Sequence, residues 1–182
     1  MLKRNHLYLL ILFILCFSSR ILTSIYYIED IDSLRFALSL YDYDITKLQP
    51  HFPGYPVFCF IAKIIYLLTG SMSITFSIIG GVSVYYLIYF MLKLDNIDAA
   101  SLVGLFMIFI IFFNPLVWLM SNRYMPDIMG LAIVTAILYQ LIFRSKKMSS
   151  LYCGYFLSGV LAGIRLSYLP IILFPFISEL IK

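Results

Sequence analysis

The sequence has few charged residues: only 12% of its 182 residues are Asp, Glu, Lys or Arg, whereas 63% are hydrophobic and the mean hydropathy is +0.99. A soluble globular domain has about one quarter charged residues. The composition therefore excludes an ordinary soluble domain and predicts an integral membrane protein, with membrane lipid as a partner. The net charge of +4 forms no basic stripe, so nucleic acid is not a predicted partner.

Residues with metal-ligand or nucleotide-binding spacing are also missing. The three cysteines, Cys16, Cys59 and Cys153, lie far apart in apolar segments and are expected to be free thiols. There is no Gly-rich nucleotide loop, no HExxH motif and no nucleophile elbow. The sequence therefore indicates no metal-binding residues and no certain cofactor, and it does not determine whether a divalent metal takes part.

Six apolar segments are predicted to span a bilayer, which takes about 20 residues. They are residues 7–28, 73–92, 99–119, 128–143, 151–163 and 167–181. The first continues past Arg20 without a small-residue cleavage site, which predicts an uncleaved span rather than a signal peptide. Arg20 is expected to pair with a carboxylate of the next loop. The predicted fold is one all-α membrane domain, residues 1–182, with juxtamembrane helices in an outer loop of residues 29–70.

The orientation depends on residues 55–68, which are apolar but short and contain Lys63. If this segment lies horizontally or re-enters the membrane, the basic residues fall on one side. They are Lys3, Arg4, Lys93, Arg144, Lys146 and Lys147. The positive-inside rule then predicts a cytoplasmic N-terminus in the plasma (inner) membrane. Loops 29–70 and 121–127 and Arg165 would share the extracytoplasmic face.

The first outer loop is rich in acidic residues, and Glu29, Asp30 and Asp32 come directly after the first span. A carboxyl group near the hydrocarbon edge is partly desolvated, which raises its pKa and suits a general base. The alternative is that these residues only end the span, with Asp32 or Ser33 as N-cap of a short helix over residues 33–40.

The sequence HFPGYP at residues 51–56 predicts a rigid turn, because two prolines fix φ and a glycine permits a tight bend. Such a turn would hold His51 and Tyr55 at a set depth. The alternative is a proline-rich turn that only leads the chain into the membrane.

Three charged residues follow on the same predicted face. Arg123 suits bidentate binding of a phosphate. Arg165 lies between two predicted spans and is a candidate functional residue. The alternative is that its side chain only extends to the lipid headgroup phosphates. Asp127 is either a site residue or a carboxylate favoured by a helix N-terminus. Trp118 and Tyr124 are predicted to belong to an outer aromatic belt.

The order of these features resembles the N-terminal part of the GT-C superfamily of membrane glycosyltransferases, of the protein O-mannosyltransferase and aminoarabinose-transferase type. The resemblance covers nearly the whole chain, but each motif is short. The matching pieces are Glu29-Asp30, HFPGYP at 51–56, NPLVW at 114–118, YMPD at 124–127 and, more weakly, GIRLS at 163–167.

The resemblance implies an inverting glycosyltransferase whose donor is a sugar on a polyprenyl phosphate. Asp30, or else Glu29, would be the catalytic base. The implied substrate-binding residues are His51, Tyr55, Asp32, Arg123, Asp127 and Arg165, with the two arginines neutralising the lipid phosphate.

Members of that superfamily usually have more spans, which leaves three alternatives: a truncated gene product, one piece of a split enzyme whose partner chain supplies the missing spans, or a chain with no activity alone. Two alternatives remain: a non-enzymatic membrane subunit of a glycan-assembly complex, and a transporter fragment for a lipid-linked glycan. The scarcity of intramembrane polar residues argues against the transporter.

Overall fold

The computed structural model describes residues 2–143 and 147–180, and within these ranges the chain forms nine α-helices and no β-strand. The helices are α1 (Leu2–Leu22), α2 (Ile31–Ser39), α3 (Pro56–Thr69), α4 (Met72–Leu94), α5 (Leu102–Phe112), α6 (Pro115–Asn122), α7 (Asp127–Leu138), α8 (Met148–Ile164) and α9 (Leu169–Leu180). The predicted all-helical fold is confirmed. A π-helical turn, Tyr139–Phe143, extends α7.

In the part of the chain that the structure describes, two helices are long and apolar enough to cross a membrane, Asn5–Leu22 within α1 and the whole of α4. Helices α5 and α6 would together make a third span if the bent pair is counted as one. The other apolar helices, α3, α7, α8 and α9, are shorter. Two to three such helices indicate a membrane-embedded protein, and the count of six spans stays a prediction.

The segment 99–119, which is predicted to span the membrane, forms two helices, and the chain bends by 56° between α5 and α6. Pro115 has no N–H to donate to the preceding turn, so the helix cannot continue through it unbroken. The Asn114 side chain then caps the new helix: its Oδ1 accepts the amides of Leu116 and Val117 at 2.9 and 3.2 Å.

The first helix ends at Leu22, earlier than the predicted residue 28. The Thr23 and Ser24 hydroxyls donate to the carbonyls of Ser19 and Ile21 at 2.8 and 2.7 Å. Such local bonds compete with helix continuation.

The next helix begins at Ile31, and its N-cap is Asp30 rather than Asp32 or Ser33. Asp30 Oδ1 accepts the Ser33 amide at 2.7 Å. The residue predicted to be the base therefore also starts α2.

Helix α4 lies at the centre of the fold and packs against α1, α3, α5, α6 and α7. Two adjacent glycines of α4, Gly80 and Gly81, allow the backbones of α6 and α1 to approach closely. A Cβ added at Gly80 would lie 1.6 Å from the backbone oxygen of Ser121 in α6, and one at Gly81 would lie 2.9 Å from that of Cys16 in α1. Small residues allow membrane helices to approach at backbone distance.

We expect Gly80→Ala to destabilise the fold by about 1–3 kcal/mol, because the extra methyl must push α6 away from α4. Gly159→Ala is the matched control, since a Cβ there meets nothing within 4 Å. The control should be neutral or slightly stabilising. Thermal melting in detergent compares the two variants, and equal melting temperatures would contradict this packing.

Arg20 is fully buried, and the predicted pairing with a loop carboxylate is wrong. Its Nε donates to Ser121 Oγ at 2.7 Å, and its Nη2 lies 3.5 Å from the Phe112 carbonyl at the end of α5. Its guanidinium carbon is 3.8 Å from the centroid of the Trp118 ring. A helix C-terminus and an aromatic face both favour a cation, and they replace the expected carboxylate.

The predicted aromatic belt is also wrong at Tyr124, which is buried. Its ring stacks on Phe76 with centroids 4.5 Å apart, and its hydroxyl donates to the Ile25 carbonyl at 2.7 Å. Trp118 is drawn into the fold by its contact with Arg20.

The helix bundle has two distinct ends. At one end Tyr124 contacts Ile25, so the α6–α7 turn lies beside the loop after α1. At the other end Asn5 and Lys93 line one cavity, and Phe90 contacts Tyr139. We call the first the acidic end, after Glu29, Asp30 and Asp32. We call the second the basic end, after Lys93 and Lys147. Arg144, Ser145 and Lys146 lie outside the described residues.

Candidate functional site

Four segments that are distant in sequence meet at the acidic end. They are the start of α2, the loop before α3, the α6–α7 turn and the turn after α8, which together contribute Glu29, Asp30, Asp32, His51, Tyr55, Arg123, Asp127 and Arg165. These are all eight residues singled out from the sequence. The structure joins them into two clusters of charged and polar side chains.

The first cluster is centred on Arg123, the C-cap residue of α6. Its Nε lies 2.9 Å from Glu29 Oε2, and its Nη2 pairs with Asp30 Oδ2. The Arg123 and Glu29 side chains are each 25% exposed and Asp30 is 35% exposed, so the cluster is open to a ligand. Both Asp30 oxygens are engaged, one by Arg123 and the other by the Ser33 amide.

The second cluster is a chain of contacts through Tyr55. His51 Nδ1 lies 3.5 Å from Asp32 Oδ1, within ion-pair range but without hydrogen-bond geometry. His51 Nε2 is 3.1 Å from the Tyr55 hydroxyl, and Arg165 Nη1 donates to the same hydroxyl at 3.4 Å. Arg165 Nη2 then pairs with Asp127 Oδ1 at 2.8 Å.

The turn before α3 positions His51 and Tyr55 through an unusual backbone. Gly54 has φ +93°, and Tyr55 itself has φ +46°, in the left-handed region that non-glycine residues seldom adopt. The Tyr43 hydroxyl holds the turn by donating to the Gly54 carbonyl at 3.0 Å. Non-glycine residues held in this region occur often at functional sites.

Tyr55 is buried, and its environment keeps its hydroxyl protonated. Burial raises the pKa of Tyr55; the Arg165 guanidinium opposes this, and the carboxylates of Asp127 and Asp32 add to it. At neutral pH the protonated hydroxyl accepts a hydrogen bond from Arg165 and lies within hydrogen-bond distance of His51 Nε2.

Some buried polar atoms of the second cluster have no hydrogen-bond partner among the described residues. They include Arg165 Nε, a donor, and Asp127 Oδ2, an acceptor. An unpaired buried polar atom costs about 1–3 kcal/mol. The donor and the acceptor are therefore available to pair with a polar ligand.

Two residues that sequence reasoning did not single out hold the site together. The Phe36 ring lies edge-on to both His51 and Tyr55, with centroids 5.5 and 5.0 Å away. Arg35 pairs with Asp32 at 3.2 Å. The i,i+3 spacing of Asp32 and Arg35 was a visible signal for that ion pair, whereas no sequence pattern indicated the role of Phe36.

Within residues 2–143 and 147–180, no group of three or more His, Cys, Asp or Glu side chains is arranged to hold a metal ion. The chemistry that these clusters offer is acid–base chemistry and binding of an anion by guanidinium groups.

Comparison with protein-family models, with curated proteins and with solved structures found no match for this chain. The resemblance to the GT-C glycosyltransferases rests on the short motifs and their order alone.

Proposed function

We propose that this chain is the membrane module of a glycosyltransferase that moves a sugar from a polyprenyl-phosphate donor to an acceptor hydroxyl. The donor and acceptor would meet at the acidic end of the bundle. The observation that carries the proposal is the convergence of Asp30, His51, Arg123 and Arg165 from four distant segments.

The two guanidinium groups are suited to the lipid phosphate. Arg123 and Arg165 are each about one quarter exposed, and Arg165 has an unpaired Nε. Guanidinium groups bind phosphate oxygens in a bidentate fork. Asp127 Oδ2 would accept a hydrogen bond from a sugar hydroxyl.

The first cluster couples donor binding to release of the base. A phosphate that binds Arg123 competes with Asp30 and Glu29 for the same guanidinium. Asp30 Oδ2 then becomes free to accept the proton of the acceptor hydroxyl. The acceptor oxygen bonds to the anomeric carbon, and the bond to the phosphate oxygen breaks with its electron pair leaving on the phosphate. Arg123 and Arg165 stabilise the charge that develops there.

A second candidate function is that of a non-enzymatic membrane subunit of a glycan-assembly complex. The observation that favours it is that Arg123 and Arg165 are already paired with carboxylates. A network in which each charge already has an opposite partner can serve to hold the four segments together. Loss of ligand binding on mutation distinguishes an enzyme site from such a purely structural network.

Donor binding tests the proposal without requiring turnover by this chain alone. Arg165→Gln is expected to weaken capture of a photoactivatable polyprenyl phosphate about tenfold or more, since a charged hydrogen bond is lost. Lys47→Gln is the matched control: Lys47 lies at the same end but pairs with Asp42 at 2.8 Å, outside both clusters. Equal capture by the two variants would refute the site, while unchanged melting temperatures would show that both fold.

The orientation belongs to the same proposal: six spans, a cytoplasmic N-terminus and an extracytoplasmic acidic end. It is supported by the positions of Lys93 and Lys147, which lie towards the basic end, in line with the positive-inside rule.

Cysteine labelling with a membrane-impermeant reagent tests that orientation in intact cells. The exposed Cys153 is first replaced by Ser, leaving Cys16 and Cys59, which are buried. Tyr26→Cys at the acidic end should then be labelled, and Ser149→Cys should be protected until the membrane is opened. The reverse pattern would place the acidic end in the cytoplasm.

A further inference from the structure

A groove between α1 and α4 lies at the basic end, remote from both clusters. Its volume is about 550 Å³, and its lining includes Asn5, His6, Leu10, Phe13 and Lys93. It is open on its outer side, since Leu10 is 55% exposed. A ligand in this groove would reach it from the surrounding membrane.

The lining changes from polar to apolar along α1. Asn5 and His6 lie at the end of the bundle, Leu9 and Leu10 follow one turn later, and Phe13 is one turn further. Eight residues of helix rise about 12 Å. The groove therefore offers polar groups at the depth of a headgroup and hydrocarbon at the depth of an acyl chain.

The lining residues on α4 change from charged to more apolar in the same direction. Lys93 lies at the bundle end with its ammonium 5.5 Å from the Tyr89 ring centroid, and Tyr85 lies one turn deeper, edge-on to Phe13 at 5.2 Å. Tyrosine rings combine an apolar body with a polar hydroxyl and suit the membrane–water boundary.

The polar part of the groove is positive and incompletely paired. Lys93 is its cation, and the nearest carboxylates along the chain, Asp95 and Asp98, are not among its lining residues. Asn5 Oδ1 is buried without a hydrogen-bond partner among the described residues. A hydroxyl next to a phosphate would supply the missing donor.

We propose that this groove binds an anionic glycerophospholipid, with the phosphate at Lys93 and His6, the headgroup hydroxyl at Asn5 and an acyl chain along Leu10 and Phe13. Basic pockets between transmembrane helices bind lipid phosphates in this way. The proposal is independent of the proposed glycosyltransferase function, because none of its residues belongs to the two clusters at the acidic end.

Native mass spectrometry of the purified full-length chain tests the proposal. The probes are dioleoyl phosphatidylglycerol, dioleoyl phosphatidylcholine and inorganic phosphate. Phosphatidylglycerol should bind the wild-type chain more tightly than phosphatidylcholine, and Lys93→Gln should weaken its binding about fivefold. Lys63→Gln, which removes a lysine at the acidic end instead, should leave it unchanged.

Three outcomes would overturn the proposal: equal binding of the two lipids by the wild-type chain, equal phosphatidylglycerol binding by Lys93→Gln and Lys63→Gln, or displacement of the lipid by millimolar inorganic phosphate. A melting curve for each variant verifies its fold. If Lys93→Gln does not fold, Leu10→Gln provides the second test, because a polar group in the acyl-chain part should weaken lipid binding while Lys93 is intact.

Discussion

Asp30→Asn is expected to reduce sugar transfer by about 10²–10⁴-fold and, at the same time, to strengthen donor binding. The first effect follows from loss of the proposed general base. The second follows from the ion pair between Asp30 and Arg123, because an amide competes less well than a carboxylate for the guanidinium that the phosphate must bind. A residue that only stabilised the fold would not change transfer and binding in opposite directions.

The Asn side chain preserves the structural role of this position. Asn caps a helix as well as Asp does, so α2 should still begin at residue 31 and the Ser33 amide should keep an acceptor. Asp42→Asn is the control, since among the described residues Asp42 forms an ion pair only with the exposed Lys47. Transfer is measured in membranes that contain any partner chain, and full activity of Asp30→Asn would exclude Asp30 as the base.

Arg20→Ala is expected to have the largest effect on stability, about 3 kcal/mol or more. The substitution empties a fully buried site, removes the donor to Ser121 and leaves the Phe112 carbonyl without its contact at the α5–α6 bend. Arg20 also holds α6 against α1, and Arg123 is the C-cap of α6. Loss of Arg20 should therefore weaken donor binding as well.

Two opposing contributions decide whether Arg20→Ala lowers or raises the stability of the fold. Burying a cation is costly, but the Trp118 and Phe112 rings and the end of α5 compensate the charge, and a desolvated cation–π contact contributes about 2 kcal/mol. Arg20→Met separates charge from volume, since Met fills much of the space. Arg35→Ala, which removes a partly exposed ion pair with Asp32, should cost under about 1 kcal/mol. Melting temperatures at or above wild type for Arg20→Ala would contradict this role.

The sequence was informative about the site because its signals are local. Charged residues are rare in this chain, so a few polar residues between apolar segments became candidates, and the eight named ones do meet at one end. Composition and helix-length apolar segments likewise predicted the all-helical fold.

What could not be predicted depends on tertiary contacts. The charge of Arg20 is stabilised by the Trp118 ring and by the Phe112 carbonyl at the end of α5, which lie about 90 to 100 residues away in sequence. Pro115 is visible in the sequence, but the angle of the bend there depends on how α6 packs against α4. Asp30 is the N-cap because its carboxylate accepts the Ser33 amide. The end of α1 at Leu22 is a boundary where serine and threonine hydroxyls bond to the backbone, and hydropathy does not detect it.

The central claim is that the acidic end holds the phosphate of a lipid-linked sugar, and mapping photo-adducts tests it most directly. A polyprenyl-phosphate probe with its reactive group beside the phosphate is bound to the purified chain, irradiated, and the modified peptides are sequenced. The account predicts adducts at residues 29–32, 51–55, 123–127 and 165, lost in an Arg123→Gln, Arg165→Gln double variant. Adducts spread along the lipid-facing helices, or unchanged in that double variant, would contradict it.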